Sequence, residues 1–182
     1  MKTTNQISDD LSALSETSNE VLKQKRDSIL GKLPEYIKDY IEECFKYKRI
    51  PKEYQLASIL YSIATASGST FFTNQMNYTN YSNIYIMIFG NRSDGKSEGI
   101  KMATKELVKQ DDKYYEDYEI EKLNNDEKHK PILKQILVKD SSIEALKLNH
   151  YKCPNGIGIM IDEIRSLLIN MNISGRLKPI EP

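Results

Sequence analysis

The stretch NIYIMIFGNRSDGKSEG, residues 83–99, joins an apolar run directly to three of the chain's eight glycines. From Ile84 to Phe89 the run is β-branched, aromatic and uncharged, which predicts a strand covered on both faces. Behind the glycines, KSEGIKMATKELVKQ has helix-forming composition, with Ile100, Met102, Ala103 and Leu107 near helical spacing. Gly90, four residues, Gly95, Lys96 and Ser97 thus complete a Walker A pattern in the order strand, glycine-rich turn, helix.

The pattern has a chemical reason. Glycines let the backbone wrap around a polyphosphate with its N–H groups inward, and the helix beginning near Lys96 adds the positive end of its dipole. In this reading Gly90, Asn91, Arg92, Ser93, Asp94, Gly95, Lys96 and Ser97 bind the nucleotide. Lys96 reaches the β and γ phosphates, and the Ser97 hydroxyl ligates magnesium. The bland alternative is a turn between a strand and a helix with Lys96 solvated. Two loop residues cut across the reading. Arg92 can touch a phosphate or base but also reads as an exposed loop arginine. Asp94 sets a negative charge where phosphate must sit, which opposes tight binding unless its side chain turns outward.

Further along, GIGIMIDE (156–163) is an apolar strand ending in two acids, the other half of such a site. Here Asp162 holds magnesium through water and Glu163 orients or deprotonates the attacking water, making Glu163 and Lys96 the catalytic pair. Alone, an Asp-Glu pair after a strand equally marks a helix N-terminus.

Working outward, residues 1–14 are polar and aperiodic and read as a mobile leader. Residues 15–70 read as a helical N-terminal region. In it Leu33, Ile37, Tyr40, Ile41, Cys44 and Phe45 form an amphipathic stripe, with Pro34 in the first turn. Pro51 then opens a second, largely apolar helix, expected to be buried and to end at Gly68. STFFTNQMNYTNYSNIYIMIF (69–89) reads as strand, polar turn and strand. Residues 109–131 mix both charge signs densely and read as a solvated helical or irregular insertion. Tyr114, Tyr115 and Tyr118 could stack on single-stranded nucleic acid, but Asp111, Asp112, Glu116 and Asp117 around them repel phosphate. PILKQILVKD (131–140) is a short strand candidate, and Ser141 with Glu144 has capping-box spacing at the start of a helix. Strands alternating with helices predict an α/β core with a parallel sheet.

Composition narrows the class. With 26 basic against 26 acidic side chains, no global field favours nucleic acid or membrane. No run approaches a membrane span and the start lacks a signal-peptide core, so a cytoplasmic location and no membrane partner are expected. Cys44 and Cys153 lack a neighbour at ligand spacing, so neither a disulfide framework nor a zinc site is indicated. His129 and His150 read as surface residues.

YQLASILYSIATASGSTF (54–71), NIYIMIFGNRSDGKSEG and DSSIEALKLNHYKCPNGIGIMIDEIRSLL (140–168) together resemble a family of P-loop proteins labelled a domain of unknown function. That family is related to primase-helicases of phages, plasmids and other bacterial mobile elements, and the resemblance covers about residues 33–172. It implies an incomplete RecA/AAA-like P-loop NTPase core with a parallel sheet, behind an α-helical N-terminal region. Walker A lies at 90–97 and Walker B at 158–163, in a partial domain over 71–182. It also implies Mg2+ and ATP as cofactors, DNA as a partner of the full-length protein in replication, and a homo-oligomer. Such ATPases carry further strands, a sensor residue and an arginine finger. The end at SGRLKPIEP leads us to expect the N-terminal portion of a longer protein. The expected function is magnesium-dependent ATP binding and hydrolysis. The rivals are a catalytically inactive P-loop module acting through protein–protein interaction, and a small-molecule kinase.

Overall fold

The computed structural model describes residues 20–124, 131–139 and 141–161. Among the described residues it is an α/β structure with six helices and a small parallel sheet. The helices are α1 (20–31), α2 (Glu35–Lys48), α3 (Lys52–Ser67), α4 (Lys96–Ala103), α5 (Lys105–Asn124) and α6 (Ile143–Lys152). The strands are β1 (Phe72–Gln75), β2 (Tyr78–Tyr81), β3 (Leu137–Lys139) and β4 (Gly158–Met160). The chain divides into two compact units, Met1–Glu53 and Tyr54–Pro182.

In the first unit Pro34 precedes α2 in an extended conformation that suits a helix start, and Arg49 ends it with φ 58°. Ile41, Cys44 and Ile50 are buried. Burial, with Cys44 beside it, pushes the Tyr40 phenol up to about 12. Arg26 bridges Asp27 at 2.8 Å and Glu53 at 2.6 Å.

In the second unit α3 ends where Gly68 turns left-handed at φ 49°. Its apolar side chains are less covered than expected, since Leu56 is buried but Ile63 is exposed. Tyr54, Tyr61, Thr65 and Gly68, whose spacing places them on one stripe of the helix, are the residues against which Phe89, Gly158 and Asn155 lie. A Cβ on Gly158 would lie 2.6 Å from the Tyr61 hydroxyl and 2.7 Å from the Thr65 side chain, so β4 passes close over this stripe. At the helix end the Ser69 N–H donates to the Asn155 carbonyl at 2.7 Å, and Gly68 has no room for a Cβ against that carbonyl.

Two expectations for residues 69–89 need correction. The Asn-rich segment is not a long polar turn but a tight hairpin. Met76 and Asn77 both have positive φ (51° and 67°), the backbone hand that matches strand twist, and β1 pairs antiparallel with β2 from Phe72↔Tyr81 to Gln75↔Tyr78. Residues 84–89 join no ladder among the described residues and are not covered on both faces. Tyr85 is 98% and Met87 65% exposed, while Ile86 and Ile88 are half-buried. The reason is how the segment is held. At one end Ser82 donates to the Ala64 and Gly68 carbonyls at the C-terminus of α3, and at the other the Tyr54 hydroxyl of α3 meets Phe89. The segment is thus tied to the two ends of α3 and not to a neighbouring strand.

A parallel sheet is present but smaller than expected: among the described residues it pairs only β3 with β4, Leu137↔Gly158, Val138↔Ile159 and Lys139↔Met160 in register, and the expected strand at 84–89 is not part of it. Asp111 of α5 accepts from the N–H groups of Ile136 at 2.6 Å and Leu137 at 2.9 Å, so the dense charge of this region includes a clamp on β3. The cap of α6 is Ser142, one residue later than the expected Ser141. Its hydroxyl accepts from the Ala145 N–H at 3.2 Å, whereas Ser141 turns back to the Lys139 carbonyl. The helix starts at Ile143, and only the residue immediately before it has its oxygen over the free N–H groups.

Candidate functional site

Residues 90–97 form a loop closed by its own lysine. Ser93 and Gly95 have φ 67° and 79°, and Gly95 is the residue before α4. These left-handed positions turn the chain so that Lys96, the first residue of α4, reaches back over the loop. Its ammonium donates to the Gly90 carbonyl at 2.7 Å and also to the Asn91 carbonyl. A cation is therefore fixed across the loop at the N-terminal end of a helix, where dipole and charge both favour an anion. Ser97 is exposed in the first turn of α4, and the Gly99 N–H closes that turn on the Gly95 carbonyl at 2.9 Å. Arg92 and Asn91 are exposed.

Asp94 does not face open solvent. Its carboxylate accepts from the Asn91 N–H at 2.7 Å, back toward the root of the loop. The charge that counted against phosphate binding is thus tied to a backbone donor, and that donor is occupied within the loop itself.

The root is held by a residue that motif reading did not single out. Tyr54, at the start of the contact stripe of α3, donates its hydroxyl to the Phe89 carbonyl at 2.8 Å. Tyr54 is itself fixed, because Gln55 and Leu56 beside it are buried and the Ser58 hydroxyl donates to the Tyr54 carbonyl at 2.7 Å. No spacing rule connects a tyrosine on an upstream helix to a glycine-rich turn, so the sequence carried no signal for it.

On the other side of the loop, Thr104 interrupts the helix. It is buried, its hydroxyl returns to the Ile100 carbonyl at 2.8 Å, and α5 starts at the next residue. Asp162 and Glu163 lie outside the described residues, which reach Ile161 just after β4. His129 lies outside them as well, and His150 is exposed in the last turn of α6. Among the described residues no group of three or more His, Cys, Asp or Glu is gathered to hold a metal ion. No helix among them is long and apolar enough to cross a membrane.

Comparison of the chain with protein-family models, curated proteins and solved structures gives no match.

Proposed function

We propose that this chain binds ATP with magnesium through residues 90–97, as part of a primase-helicase-like ATPase of a mobile element with an incomplete RecA/AAA-like P-loop core. The observation that carries the reading is the lysine at the helix start, held across a loop that two left-handed residues turn back on itself. A fixed cation, a helix N-terminus and a left-handed turn form a donor set suited to a polyphosphate. Lys96 binds the β and γ phosphates, exchanging the Gly90 and Asn91 carbonyls for phosphate oxygens. Ser97 and Asp162 are the residues to hold magnesium, which when bound neutralises developing phosphate charge. Glu163 would orient or deprotonate the attacking water. The place in DNA replication follows from the family resemblance alone.

The test is equilibrium binding of a fluorescent ATP analogue with and without magnesium. Loss of charge-assisted bonds predicts binding weaker by a factor of tens to about a hundred in Lys96→Ala. Magnesium-independent binding, or equal binding by wild type and Lys96→Ala, refutes the reading.

A second reading, an interaction module without catalysis, draws on the hairpin, whose eight strand residues are all exposed. It requires partner binding that is indifferent to nucleotide and to Lys96→Ala, and a measurable ATPase rate removes it.

A further inference from the structure

We propose that Tyr54 is a positioning residue for the nucleotide loop, and that its hydroxyl is what confines position 90 to glycine. The proposal rests on the nucleotide reading of residues 90–97 for its consequence, though not for its geometry.

The Walker pattern explains Gly90 by backbone freedom, yet Gly90 is not among the left-handed residues of the loop, which are Ser93 and Gly95. The constraint is space. A Cβ at position 90 would fall well inside contact distance of the Tyr54 hydroxyl, and would sit 3.1 Å from both the Tyr54 ring carbon bearing it and the Asp94 carboxylate. The hydroxyl occupies this place because it donates to the carbonyl of the preceding residue, Phe89, at 2.8 Å. Those contacts lie in one chain of bonds. Tyr54 holds the Phe89 carbonyl, the next carbonyl along, Gly90, takes the Lys96 ammonium, and Asp94 takes the Asn91 N–H.

The approach to the loop has few other fixed points. Residues 84–89 make no ladder among the described residues, so nothing in a sheet holds Phe89 in register. The hydroxyl therefore sets where the loop begins, and Lys96 closes it against that origin. Tyr54 acts through the loop backbone and is not assigned a contact with nucleotide.

The experiment compares wild type, Tyr54→Phe, Gly90→Ala and the double variant, with Lys96→Ala as the control for the nucleotide reading. Affinity for a fluorescent ATP analogue with magnesium, amide hydrogen exchange over residues 88–97 and thermal unfolding are measured on each. Loss of one hydrogen bond predicts analogue binding about fivefold weaker in Tyr54→Phe. Faster exchange confined to the loop, with an unchanged unfolding transition, is expected alongside. Gly90→Ala is expected to weaken binding about tenfold or more in the wild-type background and distinctly less in the Tyr54→Phe background, because the obstructing hydroxyl is gone. A residue of merely structural importance would not produce that rescue. Unchanged loop exchange in Tyr54→Phe overturns the proposal, as does a Gly90→Ala effect of equal size in both backgrounds. If wild type fails to bind the analogue, the nucleotide reading falls, and exchange in Tyr54→Phe still decides whether the hydroxyl sets the loop. Should Gly90→Ala not fold, Tyr54→Phe carries the decision alone.

Discussion

Residues 84–89 and residues 90–97 are neighbours in the chain and opposites in how they are held. The first segment has the stronger apolar signal, and its side chains are largely exposed, Tyr85 almost completely. The second is polar and glycine-rich, yet the carbonyls of Gly90 and Asn91 and the Asn91 N–H all find partners within the loop. A loop can satisfy its backbone from side chains a few residues away. A strand needs another stretch of chain alongside, and apolar composition alone does not supply one.

The comparison can be broken most severely where the tethered side leaves no space. Gly68→Ala adds a side chain at a positive φ against the backbone carbonyl of Asn155, which cannot swing aside as a flexible side chain would. A loss of about 2–3 kcal/mol in denaturant unfolding is expected. A loss below about 0.5 kcal/mol would mean that the contact between α3 and the turn before β4 is looser than described.

An intermediate effect is expected at the cap of α6. Ser142→Ala should cost about 1 kcal/mol and Ser141→Ala much less, and the reverse order would restore the cap expected from spacing. The cap also carries a pH signature. The Glu144 backbone N–H and the Ser142 side chain hold the Glu144 carboxyl below its ordinary value. A depressed folded value gives stability present above the unfolded pKa and lost as pH falls through the folded one. Acid titration of Glu144→Gln beside wild type should show that difference shrinking as pH falls. A difference that persists in acid contradicts the assignment.

The smallest effect belongs to the exposed side. Tyr85→Ser removes a ring that is 98% exposed and should change stability by no more than about 0.5 kcal/mol. A larger loss would show that the ring is packed in solution.

How much was legible follows from which forces are local. The bounds of α3 could be read from Pro51 and Gly68, because proline and glycine act on their own backbone, whereas α2 starts after Pro34 and not around it, and ends at a left-handed Arg49 that no residue type announced. The parallel pairing of β3 with β4 followed from short apolar runs separated by a helix. The second strand of the hairpin was misplaced because its asparagines read as turn formers, although only Asn77, with Met76, turns the chain. The face of α3 was missed for a related reason. Hydrophobic periodicity pointed to Leu56, Ile59, Leu60 and Ile63, whereas Tyr54 meets the loop root, Tyr61 and Thr65 meet β4 and Gly68 meets the turn before it, through hydroxyls and missing side chains. In the candidate site the loop was visible as a motif, and the tie between Asp94 and Asn91 is local to it, but the hold of Tyr54 on Phe89 depends on tertiary geometry that no spacing encodes.

That polar stripe makes α3 an indexing rod. Its contacts with the loop root at Tyr54 and with β4 at Tyr61 are two helical turns apart, about 10 Å along the axis. One inserted residue between them would leave the distance nearly unchanged but rotate one contact by about 100° relative to the other. The helix would still form, and it could no longer engage both at once. The tolerance of this stretch to insertion is therefore governed by angular phase and not by length.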